Sequence, residues 1–185
     1  MHATARRRGG LGIVVASLLL LAGCGSSEPE PVQALPPEAP ADLCATVPAA
    51  TRAGLVGSSS TDLQGPPTAA CSLRSPGGAE PEVAAVVTWL KSDDEEAATQ
   101  VYESQCRSID TTEFRVQKGF RPRGADQACA GSGTAGGTDS ATMTARADRE
   151  IVVVRLRSKP AGTVSAMARS QAMLEGVLAT LHDDS

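Results

Sequence analysis

The chain has 185 residues, 41% of them hydrophobic but only 2% aromatic, and a formal net charge of −4. That acidic balance excludes a general nucleic-acid binder, which needs basic surface to displace counterions from phosphates. With one Trp, one Tyr and two Phe, a core must be built from Val, Leu, Ala and Met, which bury less area per residue than aromatic side chains.

Arg6, Arg7 and Arg8 precede an apolar run from Leu11 to Leu21, and Leu21-Ala22-Gly23-Cys24 ends it. The run is far shorter than the ~20 residues a membrane-spanning helix needs. A basic segment, a short apolar segment and small residues before a cleavage point define a secretory signal peptide. The cysteine turns it into a lipoprotein signal, because a peptidase can approach the backbone at Ala22 and Gly23 and the Cys24 sulfur can carry a diacylglyceryl thioether. Residues 1–23 are expected to be removed, leaving the protein lipid-anchored through Cys24 on the extracytoplasmic face of the cell membrane. Each buried CH₂ of such an anchor contributes about 0.8 kcal/mol, so two or three acyl chains hold stably. Loss of the three arginines takes the formal charge from −4 to about −7. Residues 24–42 are the acylated cysteine and a tether rich in Pro, Glu, Ser and Ala, which at ~3.1 Å per residue reaches roughly 50 Å. Residues 43–185 are expected to form a single extracytoplasmic domain.

Within that domain, Pro48 to Val56 reads as a short helix stopped by Gly57, with Leu55 and Val56 facing inward. Ser58 to Pro67 reads as loop, and Ala69 to Arg74 as a strand closed by the turn Ser75-Pro76-Gly77-Gly78. Val83 to Leu90 is a strand apolar on both faces. Ser92 and Glu95 form a capping box opening a helix to about Ser108, with Ala98, Val101, Tyr102 and Cys106 as its inward stripe. Phe114 to Val116 is a short strand, Phe120 anchors a loop, Asp126 to Ala130 carries Cys129 to the core, and Gly131 to Gly137 is a turn. Ala141 to Ala147 and Ile151 to Arg157 form a hairpin about Asp148-Arg149. Thr163 to Leu181 is a helix with Val164, Met167, Leu174, Val177, Leu178 and Leu181 on one face. The fold class is α+β, a small antiparallel sheet with two main helices packed on it.

Cys44, Cys71, Cys106 and Cys129 are an even number of cysteines in an oxidising compartment, which favours two disulfides. No C-x₂-C pair occurs among them, which disfavours zinc. Of three possible pairings, Cys44 with Cys71 and Cys106 with Cys129 are preferred, since each closes a local loop between consecutive elements.

Several patterns resemble sites. Gly131-Ser132-Gly133-Thr134-Ala135-Gly136 matches G-x-G-x-x-G, but a β-like run follows where a dinucleotide site needs a helix N-terminus. Asp93, Asp94, Glu95 and Glu96 fan around a helix axis and cannot converge on one ion; they suit the positive end of the helix dipole. His182, the one histidine of the expected mature chain, lies next to Asp183 and Asp184, a position that makes a catalytic triad improbable. Arg155, Arg157 and Lys159 alternate on one strand, with Arg121 and Arg123 as further basic residues, and read first as a solvated face and second as an anion site. No catalytic residue, cofactor or metal site is assigned.

Taken together, the lipobox, the Pro-rich tether, Asp42-Leu43-Cys44 before a short helix, Ala70-Cys71-Ser72-Leu73 on a strand, Gly124-Ala125-Asp126-Gln127-Ala128, the hairpin and the last helix resemble the small secreted lipoproteins of actinobacteria, a domain family of unknown function. That resemblance implies an α+β, sandwich-like domain with a cysteine pair near its start and no established catalytic residues. The expected function is non-catalytic: a cell-envelope lipoprotein binding a protein partner or a small amphiphilic ligand. The alternatives are a cell-wall or lipid hydrolase and a structural accessory subunit.

Overall fold

The computed structural model describes residues 39–62, 66–109 and 114–183. The chain divides into two units, Met1–Ala34 and Leu35–Ser185. The signal peptide, Cys24 and the tether up to residue 38 lie outside the described residues.

Two single-turn helices, α1 (Leu43–Thr46) and α2 (Ala49–Arg52), lead into strands β1 (Val56–Asp62), β2 (Thr68–Arg74) and β3 (Glu82–Lys91). Helix α3 (Glu95–Ile109) follows, then β4 (Arg115–Val116), β5 (Gln127–Ala135), β6 (Thr138–Ala147), β7 (Glu150–Lys159) and helix α4 (Ala166–Asp183). All seven strands form one sheet in the order β1-β2-β3-β7-β6-β5-β4, antiparallel at every pairing. The fold is α+β as expected, with its two long helices on opposite faces of the sheet.

One face carries Leu73, Val83, Val87, Trp89, Met143, Val152, Val154 and Leu156, packed with Leu43 and Val47 of the α1 segment and Met173, Leu174, Val177 and Leu178 of α4. The other face is covered by α3 over β5, β6 and β7, with Ala98 packed on Ile151 and Val153. Ile151 to Val154 is therefore buried from both sides, the condition that a continuous β-branched run encodes. Val83 to Leu90, expected to be buried on both faces, is buried on one, and Val86 is 41% exposed. The reason is that α3 covers the β5–β7 half of the sheet and not β3.

Cys44 of α1 is joined to Cys71 of β2, and Cys106 of α3 to Cys129 of β5. Each bond staples a helix to the sheet, one on either face.

Several local expectations are corrected. Pro48 to Val56 is not one helix: α2 ends at Arg52, and Val56 opens β1 with 67% exposure. Ser58 to Asp62 is strand, not loop, because β2 needs partners for its outer backbone groups and this segment supplies them. Its Ser59 hydroxyl accepts from the Cys44 amide at 3.1 Å and donates to the Asp42 carboxylate at 2.5 Å, tying α1 to the sheet edge. The cap of α3 is Asp94, which accepts from the Ala97 amide at 2.7 Å; Ser92 is buried, and its amide donates to the Arg149 carbonyl. Gly131 to Ala135 continues β5, and the turn shrinks to Gly136-Gly137, both at positive φ.

Two glycines mark close approaches. A Cβ on Gly131 would run into the Ile109 side chain, and one on Gly176 into the Pro48 ring. Gly131→Ala is expected to destabilise the domain by about 1–3 kcal/mol through overpacking under α3, read as a lower denaturation midpoint. The Cys106–Cys129 bond closes a separation of 23 residues. Replacing both cysteines with serine should lower stability by about 3 kcal/mol in the chain-entropy account, checked by urea denaturation.

Candidate functional site

The residues singled out in the sequence fall at scattered places. Gly131, Ser132, Gly133, Thr134 and Ala135 lie in β5 and hydrogen-bond to β6, so their amides are not gathered at a helix N-terminus. The G-x-G-x-x-G match is a consequence of small residues under α3 followed by a tight turn. Asp93 to Glu96 occupy the start of α3, where Glu95 reaches Arg146 at 3.4 Å. Among the described residues, no group of three or more His, Cys, Asp or Glu side chains gathers as a metal site, and no helix is long and apolar enough to cross a membrane.

His182 lines a depression of about 480 Å³ with Pro48, Arg123, Gly124, Glu175 and Leu178. Among the described residues, no serine, threonine or cysteine lines it. Glu175 accepts from Gln171 Nε2 at 2.9 Å and from the Arg123 amide and guanidinium at 3.4 and 3.2 Å. These bonds, Gln171 first, hold its carboxyl below the ordinary 4.5.

A second depression, about 620 Å³, lies between β4, the β5–β6 hairpin and the start of α4 and is lined by Arg115, Ser132, Thr134, Asp139, Ser140 and Ser165. Asp139 accepts from Thr134 Oγ1 at 2.5 Å and from the Gly162 amide at 2.7 Å, which lowers its pKa, the Thr134 bond contributing most. Both carboxylate oxygens are thus spent on joining two turns. A carboxylate so held is a poor base for a neighbouring hydroxyl.

The basic residues separate into two sets. Arg123 pairs with Glu175 on the α4 face. Arg155 and Arg157 project from β7 on the opposite face, where Arg155 donates to Gln105 of α3 at 3.3 Å. The strand order adds Arg74, which no local pattern foretold. Register runs Val56, Arg74, Ala84, Arg157, Ser140 and Gly133 across six strands, and beside it Ser58, Ser72, Val86, Arg155, Thr142 and Gly131. Arg74 and Arg157 therefore flank Ala84, about 10 Å apart at their Cα atoms, and Arg155 lies about 7 Å along β7. All three are exposed, and neither Arg74 nor Arg157 has an ion-pair partner among the described residues.

The carboxylate network on α4 sets a pH dependence. Because the folded-state pKa of Glu175 is depressed, its contribution to stability is present above the ordinary carboxylate range and fades as pH falls through its folded-state value. Glu175→Gln should be less stable than the parent at pH 7, and the difference should shrink as pH falls below the ordinary carboxylate range, measured by urea denaturation across an acid pH series.

No protein-family model, curated protein or solved structure matches this chain.

Proposed function

We propose that the chain is a cell-envelope lipoprotein, anchored through Cys24, whose domain acts without catalysis by binding a protein partner. The box Leu21-Ala22-Gly23-Cys24 and the Pro-rich segment behind it support the address. The observation that carries the partner reading is strand β1. It is the outer strand of the sheet, seven residues long and exposed throughout, and its sequence Val-Gly-Ser-Ser-Ser-Thr-Asp has no proline or lysine. Natural edges usually carry such residues to block pairing. An unguarded edge offers backbone donors and acceptors to an incoming strand, the mode by which an extended segment of a partner adds to a sheet.

An amphiphile carried between sheet and helices is less well supported. Leu43, Val47, Met143, Val154, Met173, Leu174 and Leu178 fill that space and are fully buried. A hydrolase is less well supported, because Asp139 accepts a hydrogen bond at each carboxylate oxygen and its pKa is lowered.

Cys24→Ala should abolish incorporation of a palmitate label and release the protein from the membrane fraction; unchanged labelling would overturn the anchor. A photo-crosslinking side chain at Ser60 in intact cells should capture a defined protein that the same probe at Ala179 of α4 does not. Equal capture from both positions, or a lipid retained in native mass spectrometry with no protein captured, would overturn the partner reading.

A further inference from the structure

We propose that the open sheet face around Arg157 is a binding site for a phosphate ester, held by Arg74, Arg155 and Arg157. The inference is independent of the β1 edge and of acylation at Cys24.

Four observations carry it. First, β2, β3 and β7 bring three guanidinium groups onto one face of an acidic chain, and their Cα spacings of about 7 and 10 Å let extended arginine side chains meet over one ligand. Guanidinium groups recognise phosphate oxygens through paired, charge-assisted hydrogen bonds. Second, the floor between them is Ala84 and Val86, whose small size leaves room above the strand. Glu82 lies one row away, opposite Lys159, so the lysine and not the three arginines has the facing carboxylate.

Third, a depression of about 270 Å³ opens beside Arg157 and is lined by Phe114, Gly133, Ala135, Thr138 and Ser140. Thr138 and Ser140 supply hydroxyl donors next to the guanidinium, and Phe114 supplies an apolar wall for the carbon part of an ester. A planar carboxylate presents its two oxygens in one plane, which a single arginine fork matches in geometry. Arg74, Arg155 and Arg157 approach from different directions, which suits the tetrahedral oxygens of a phosphate, while Ser140 and Thr138 lie on the β6 side of Arg157, where the rest of an ester would sit. Fourth, Ile109 at the end of α3 packs over Gly131, one register row from Arg157-Ser140-Gly133, and among the described residues no carboxylate pairs with Arg157.

The test uses the full chain carrying Cys24→Ala and follows backbone amide shifts during titration with inorganic phosphate, sn-glycerol 3-phosphate and, at matched ionic strength, sodium acetate. Saturable shifts confined to Ala84, Val86, Ser140 and their neighbours are expected with the two phosphates. Arg157→Gln and Arg74→Gln should each weaken binding about tenfold, the size of one lost charged hydrogen bond. Arg123→Gln, on the opposite face, should leave it unchanged. Circular dichroism on each variant checks that these exposed substitutions keep the fold. A second arm compares phosphatidylglycerol with phosphatidylcholine vesicles: binding to the former that falls in Arg157→Gln identifies a lipid headgroup as the source, and its absence beside glycerol phosphate binding identifies a soluble ester. Shifts that are diffuse, equal with acetate, or unaffected by loss of Arg74 and Arg157 would overturn the site.

Discussion

Strand β7 is the constraint on which the rest of the domain depends. It pairs with β3 along one edge and β6 along the other. Its Ile151 and Val153 side chains meet α3, while Val152, Val154 and Leu156 meet the α4 side. A strand bonded at both edges and buried on both faces cannot shift register without exposing one apolar set and burying charge. Arg155 and Arg157 are the point at which this double burial ends, because α3 turns away toward β5 and leaves β7 open. The cationic face is therefore a product of how far one helix extends, and it is carried by a strand paired at both edges.

The second constraint is size. With so few aromatic residues, the helices must come close to the sheet to exclude water, and the sequence makes room by using Ala141, Ala145 and Ala147 on β6, Gly131 on β5 and Gly176 on α4. Close approach brings backbone and small side chains into contact, where packing density rather than bulk supplies the attraction. The two disulfides serve the same end from opposite faces. Cys44–Cys71 holds the α1 segment against β2, where hydrophobic cover is one short helix deep, and Cys106–Cys129 holds α3 against β5, where its partner surface is mostly glycine, serine and alanine.

Elements with strong periodicity were legible in the sequence. The hairpin about Asp148-Arg149 and the apolar face of α4 follow from alternation at two and at three to four residues, and the disulfide pairs follow from element order. Strand β1 was not legible, because Gly-Ser-Ser-Ser has no apolar side to alternate; it is a strand only because β2 has an edge to satisfy. The glycines of β5 read as a turn for a related reason: composition records that a residue is small, and close packing under α3 calls for small residues as much as a turn does. The S-x-x-E spacing pointed to Ser92 as the cap of α3, but the corner between β3 and β7 buries Ser92 and Asp94 takes that role.

The candidate site shows the same division. Arg155 and Arg157 share a face by alternation alone, so two of the three arginines could be read directly. Arg74 lies about eighty positions away in the chain and joins them only because β3 intervenes between β2 and β7, a fact of topology that no local pattern contains. Arg123, which looked equally available, is withdrawn by Glu175 on the other face. Net charge thus misleads at this scale. An acidic chain excludes a broad polyanion surface, but the field at one point depends on which charges lack a neighbour of opposite sign, and on this face Arg74 and Arg157 have no ion-pair partner among the described residues. Because those side chains stand on strands fixed by β7, a ligand that meets them encounters a preset arrangement, and little ordering of the protein backbone opposes binding.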